Sequence, residues 1–149
     1  MRSPLAMTTT SEQEIRDLVA DWLKAVHTRD VDAAMAHYAP DFVGYDIFPP
    51  TKVVGSDGYR ENYKMWFSSC SPDQGYEIHE LSVTAGDDVA FCRSINKITT
   101  PLTGGGEEVS WLRVTVCFKK IDGAWKVIHE HVSVPVDMQT RKGVFDFQP

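Results

Sequence analysis

One stretch constrains the fold more than any other. It is residues 111–135, W-L-R-V-T-V-C-F-K-K-I-D-G-A-W-K-V-I-H-E-H-V-S-V-P. Two β-rich runs flank Asp122-Gly123, a dipeptide that marks a tight hairpin because both turn residues need positive φ. The first run alternates. Trp111, Arg113, Thr115 and Cys117 point one way, and Leu112, Val114, Val116 and Phe118 the other. The second run, 125–134, ends at Pro135, which has no N–H to give a ladder. His129 and His131 are two apart and share a side, with Glu130 opposed to them. A long hairpin with one apolar face needs a cover, and the rest of the chain must supply it.

Composition decides what kind of chain this is. With 149 residues there is enough for one domain with a sizeable core. At 42% hydrophobic and 24% charged, the balance is that of a soluble globular protein. The net charge of -6 and the lack of a basic stripe argue against nucleic acid as a partner. No apolar run is long enough for a membrane span, so no membrane partner is expected. Residues 1–10 carry one Arg and no apolar segment of the signal-peptide kind. They read as a disordered lead-in, with Met7 as an alternative start, ahead of a single domain over 11–149. Cys70, Cys92 and Cys117 are widely spaced and odd in number. That pattern fits free thiols in a reducing cytoplasm rather than disulfides or a zinc site.

Before the hairpin the period is first helical, then two. Ser11 and Glu14 form a capping-box pattern, and Ile15, Leu18, Val19, Trp22 and Val26 recur at helical spacing up to about residue 28. Asp30 caps a shorter helix containing Ala33, Ala34, Met35 and Tyr38, which Pro40 stops. Residues 42–48 read as a strand holding Asp46, ended by Pro49-Pro50. A third helix starts after Gly55 and carries Tyr59, Tyr63, Trp66 and Phe67. Residues 76–84 and 89–100 are strands around the Gly86-Asp87-Asp88 turn, and a glycine-rich loop at 103–106 leads into the opening hairpin. Three helices followed by meandering strands predict an α+β fold. A curved, mostly antiparallel sheet forms a cone, with the N-terminal helices in its concavity and a pocket between.

Three short pieces carry a resemblance. Val26-His27-Thr28-Arg29-Asp30 with Tyr38-Ala39-Pro40-Asp41 is similar to the opening of the nuclear transport factor 2-like superfamily, which includes ketosteroid isomerase and the SnoaL-like polyketide cyclases. Gly55 matches the glycine that opens that family's third helix. Asp122-Gly123-x-Trp125 with His129-x-His131-x-Ser133 resembles the last hairpin of the calmodulin-dependent kinase II association domain, a member of the same fold. The resemblance runs from about Glu12 to Pro135 and implies the cystatin-like cone and a homodimer. It does not imply one activity, because this fold hosts enzymes, binders and oligomerisation modules. In ketosteroid isomerase the base is an aspartate on the first strand, and here that position is Asp46. The isomerase's oxyanion donors correspond to Trp22 and Thr115, which differ from the family's tyrosine and protonated aspartate. Steroid isomerisation is therefore not implied, whereas base chemistry on another small molecule remains open.

Each candidate has a plainer alternative. Asp46 is either a general base, which must lie within reach of an acidic C–H, or a structural carboxylate bonded to backbone, Tyr45 or Arg113. His129 and His131 are either pocket residues or core and interface histidines. Spacing supplies no third ligand, so neither metal nor another cofactor is expected. Trp111 and Arg113 either line the pocket, where Arg113 would bind a carboxylate or phenolate, or lie on a dimer face. A bulge in either strand would decide this by reversing the register. Asn96 is a further pocket candidate. Trp22, Tyr38, Tyr63 and Trp66 are core or pocket-wall aromatics, and Tyr45 is a further pocket candidate. The functional expectation is a pocketed isomerase, cyclase or lyase with Asp46 as base and a small molecule as partner. The alternative is a non-catalytic ligand-binding or oligomerisation module.

Overall fold

The computed structural model describes residues 10–149. The lead-in expected over 1–10 lies, apart from Thr10, outside the described residues. Helix α1 spans Ser11–Thr28, and its N-cap is Thr10 rather than the expected Ser11. The Thr10 hydroxyl accepts the Gln13 N–H at 3.1 Å, so Thr10-x-x-Gln13 offers the same capping pattern one residue earlier. Arg29 closes the helix in the left-handed region at φ 55. Asp30 caps α2 (Val31–Met35), its carboxylate accepting the Ala33 N–H.

Here the sequence reading needs correction. Helix α2 ends at Met35, and Tyr38 and Pro40 belong to strand β1 (Tyr38–Tyr45). Pro40 is tolerated there because β1 and β6 break register between Tyr38 and Val43, so no ladder donor is required of it. Asp46 follows the end of β1 rather than lying inside the strand. Strand β2 (Val53–Val54) pairs with β1, and Gly55 caps α3 (Ser56–Ser69) at φ 90, a backbone shape that suits glycine.

The remaining strands are β3 (Gly75–Ala85), β4 (Val89–Pro101), β5 (Glu107–Ile121) and β6 (Ala124–Ser133). A two-stranded flap of β7 (Val136–Asp137) and β8 (Lys142–Gly143) follows. The main sheet has the order β2-β1-β6-β5-β4-β3. Its pairs are antiparallel except β1 with β6. Asp122 and Gly123 turn the central hairpin with φ 51 and 82, the doubly positive turn the dipeptide predicts. The result is an α+β fold in which three helices cover the concave face of a curved, mostly antiparallel six-stranded sheet.

Two bulges bend that sheet. On β3, His79 pairs with Ile95 and Ser82 with Arg93, which leaves one extra residue on the β3 side. On β6, Cys117 and Phe118 of β5 face His129 and Val127, so Ile128 is extra. Each bulge reverses which alternate residues point inward beyond it. The core between sheet and helices holds Ile15 and Phe42, both fully buried, with Val26, Tyr59, Tyr63, Phe118 and Trp125.

Candidate functional site

Between helices and sheet lies a cavity of about 170 Å³. Its sheet wall is Leu112, Val114, Val116 and Phe118 from β5, the apolar alternate set read from the sequence. Helices α1 and α3 add Leu18, Val19, Trp22, Tyr63 and Trp66. Among the described residues no Lys or Arg lines it, and the lining carboxylates are Asp46 and Glu130.

Glu130 is 7% exposed and points inward from β6. Its Oε1 accepts the Tyr38 hydroxyl at 2.7 Å and its Oε2 the Tyr59 hydroxyl at 2.8 Å. The Tyr59 hydroxyl is also 2.9 Å from Asp46 Oδ2. Asp46 Oδ1 accepts the Ile47 N–H at 2.7 Å. A second chain reaches Glu130 from the other side. Trp22 Nε1 donates to the Tyr63 hydroxyl at 2.6 Å, and Tyr63 and Tyr38 hydroxyls are 2.9 Å apart. An indole nitrogen can only donate. The proton order is therefore Trp22 to Tyr63 to Tyr38 to Glu130, and each donor polarises the next. Across the cavity Asn96 Nδ2 donates to the Tyr76 hydroxyl at 2.8 Å, while Ser94 Oγ donates to Asn96 Oδ1 at 2.8 Å.

Burial sets the electrostatics. Desolvation pushes the Glu130 carboxyl up to about 7, opposed by the bonds from Tyr38 and Tyr59 and aided by the charge of Asp46. The Tyr38, Tyr59 and Tyr63 hydroxyls are raised well above the usual phenol range, first by burial and then by Glu130. These phenols stay protonated and act as donors. Gly44, paired with Glu130 across β1 and β6, makes room for the arrangement. A Cβ there would meet Phe42 Cε1 at 2.8 Å and Tyr59 Cε1 at 3.2 Å, a close approach only glycine permits.

The structure divides the sequence candidates in two. Asp46, Trp22, Tyr63, Trp66 and Asn96 line the cavity together. Tyr45, Trp111, Arg113, His129 and His131 do not. They stand on the convex face, where the Tyr45 ring packs against His129 and His131 at 4.7 and 5.4 Å between centroids. His129 Nδ1 donates to the Val43 carbonyl at 2.6 Å. Trp111 packs on His79 and beneath Lys97, and Arg113 is exposed. The cause is the Ile128 bulge. It leaves Val127 facing in and then turns Glu130 and Val132 inward, carrying both histidines outward. Thr115, paired with His131, goes with them and offers no oxyanion donor. Among the described residues no cluster of three or more His, Cys, Asp or Glu is arranged to hold a metal.

Glu130 and Tyr59 are the cavity residues that sequence reasoning missed, whereas Tyr38, expected as a core or pocket-wall aromatic, lines the cavity and donates to Glu130. Two signals were present. Glu130 is a lone carboxylate in an apolar strand, and Gly44 within a strand indicates a close approach.

The SnoaL-like domain profile matches residues 15–137 of this chain. This chain belongs to the SnoaL-like family. Relatives of known structure agree with the membership. An NTF2-like protein of unknown function from Pseudomonas putida KT2440 is 34% identical, with a TM-score of 0.87 over 95% of this chain and 99% of that one. A ketosteroid isomerase-like protein from Erwinia carotovora atroseptica SCRI1043 is 26% identical, with a TM-score of 0.69 over 85% and 97%. A putative NTF2-like dehydratase from Streptomyces avermitilis is 12% identical at a TM-score of 0.71 over 84% and 96%, a likeness of fold alone. No curated protein matches the chain. Within this SnoaL-like domain no described helix is long and apolar enough to cross a membrane.

Proposed function

We propose that this SnoaL-like domain is a small-molecule isomerase, cyclase or lyase in which Asp46 removes a proton next to a carbonyl. The observation that carries the reading is the position of Asp46. It is a half-buried carboxylate at the edge of an apolar cavity, with one oxygen held by the Ile47 N–H and the other by Tyr59. Those two bonds fix the carboxylate, as proton abstraction requires. The ligand class follows from the lining. With no Lys or Arg among the described lining residues, an anionic ligand meets no fixed counter-charge there. A cavity on the order of 150 Å³ holds one benzene, so the ligand is a neutral, single-ring molecule. Tyr76 receives its hydrogen bond from Asn96 and can direct its own hydroxyl proton at a ligand carbonyl or enolate.

The exposed aromatics of the convex face, Phe91 and Tyr45, support a homodimer through that face. The free state of Cys70, Cys92 and Cys117 supports a reducing, cytoplasmic setting.

The test uses 3-cyclohexenone, whose conversion to the conjugated isomer is read by ultraviolet absorbance and by deuterium uptake from D2O. Wild-type protein is expected to accelerate both, and Asp46→Asn to lose both with its fold intact by circular dichroism. Unchanged turnover in that variant overturns the role of Asp46. Binding of neutral single-ring ketones without deuterium uptake favours the non-catalytic binding module.

A further inference from the structure

The Tyr59 hydroxyl poses a counting problem. It lies 2.8 Å from Glu130 Oε2 and 2.9 Å from Asp46 Oδ2. A phenol has one proton, and an ionised carboxylate can only accept. With both carboxylates ionised, one hydroxyl proton must serve two anions, and one of the two contacts lacks a hydrogen. Among the described residues no Lys or Arg lines the cavity to offset the two charges. A second proton removes the conflict. With Glu130 protonated on Oε2, Glu130 donates to Tyr59 and Tyr59 donates to Asp46. Both contacts are then true hydrogen bonds, and one charge is left.

We propose that Asp46, Tyr59 and Glu130 form one proton-sharing unit, so that the site as a whole, and not Asp46 alone, takes up and gives back the proton. The proposal deepens the proton-transfer reading above, and in its catalytic form rests on it. The step balances without any co-reactant. Asp46 accepts the proton as the substrate C–H bond breaks and its electron pair passes into the enolate. In the form with Glu130 ionised, above about pH 7, the Asp46 O–H proton moves to the Tyr59 oxygen while the original Tyr59 proton moves to Glu130 Oε2. Asp46 is again ionised, Tyr59 is again a phenol and Glu130 is a neutral acid. Reversal returns the proton to the same or another carbon. Glu130 acts through Tyr59 and is a positioning residue in this scheme.

The surroundings fit a neutral Glu130. Its other oxygen receives Tyr38 at the end of the chain from Trp22 and Tyr63. Tyr76, Cys92 and His37 complete the titratable lining of the cavity. The thiol of Cys92 is pushed up to about 12 by burial and then by Glu130, and desolvation lowers His37, so neither brings a charge at neutral pH. Burial of Glu130 acts in the same direction, holding its proton up to about pH 7.

The decisive measurement is 13C NMR of the Asp and Glu side-chain carboxyls in the full-length, ligand-free protein. The signals of Asp46 and Glu130 are expected each to move in two steps more than about one pH unit apart, as coupled sites do. Tyr59→Phe should reduce each to one step, and Glu130→Gln should remove the upper step from Asp46. Single, independent steps in wild type, unchanged by Tyr59→Phe, overturn the proposal even if Asp46 proves to be the base. Two coupled steps without turnover of 3-cyclohexenone uphold the unit and leave the isomerase reading to fall. Where turnover is present, the limb of the kcat/KM profile near pH 7 should disappear in Glu130→Gln and Tyr59→Phe. A purely structural Glu130 would lower stability and leave that limb in place, which also overturns the proposal.

Discussion

Strand β6 carries His129, Glu130 and His131 in succession, and the two faces of the sheet treat them differently. Glu130 faces the cavity, is 7% exposed and has hydroxyl donors on both oxygens. His131 is exposed, and His129 is half-buried beneath Tyr45 with its ring on a backbone carbonyl. All three are polar residues of the kind found in sites. Turned away from water, Glu130 has its proton affinity raised, and desolvation is the dominant cause. The concave face thus buries a few partnered polar groups, and the convex face leaves its polar groups half-buried or exposed.

The largest expected effect is on turnover. Asp46→Asn removes the proposed base and should lower deuterium uptake by about 100- to 10,000-fold, whereas His131→Ala should change it less than about twofold. Equal losses in the two variants would erase the distinction between the faces.

Next is the pH dependence of stability. The folded protein holds the Glu130 proton more tightly than the unfolded chain does. The favourable contribution of this group is therefore fully present below about pH 4.5 and lost as pH rises through about 7, by roughly 3 kcal/mol. Urea unfolding of wild type and Glu130→Gln across this range should show that difference and then a plateau. Parallel curves would mean that Glu130 keeps an ordinary carboxylate affinity.

Gly44→Ala tests the concave face through packing. The added methyl meets the Phe42 and Tyr59 rings, both of which are buried and neither of which can yield freely. A loss of about 1–3 kcal/mol is expected, read as a lower melting temperature. Adding the variant to the carboxyl titration sharpens the comparison, since a displaced Tyr59 should uncouple Asp46 from Glu130. The smallest effect belongs to the convex face. Arg113→Ala should stay within about 0.5 kcal/mol of wild type, because its side chain is exposed. A larger loss would show that this face carries structure of its own.

Much of the architecture was legible. Asp122-Gly123 fixed the hairpin turn, Gly55 marked the start of α3, and the alternation of Leu112, Val114, Val116 and Phe118 marked an apolar face of β5 without saying that this face walls the cavity. The face of β6 was not legible. In the run W-K-V-I-H-E-H-V both the histidines and the glutamate are polar, so hydrophobic alternation cannot say which side is buried. The Ile128 bulge breaks the count midway and leaves no mark in composition.

What the sequence by itself determined is the set of elements and the apolar faces they must bury, because helix and strand periods and turn chemistry are local properties. The tertiary structure decided the site. Tyr38 and Tyr59 lie 92 and 71 residues from Glu130 in the chain. Their hydroxyls meet its carboxyl only because two helices and a bulged sheet enclose it, and burial then makes that meeting matter. Desolvation and hydrogen bonding depend on neighbours in space, which no local pattern records.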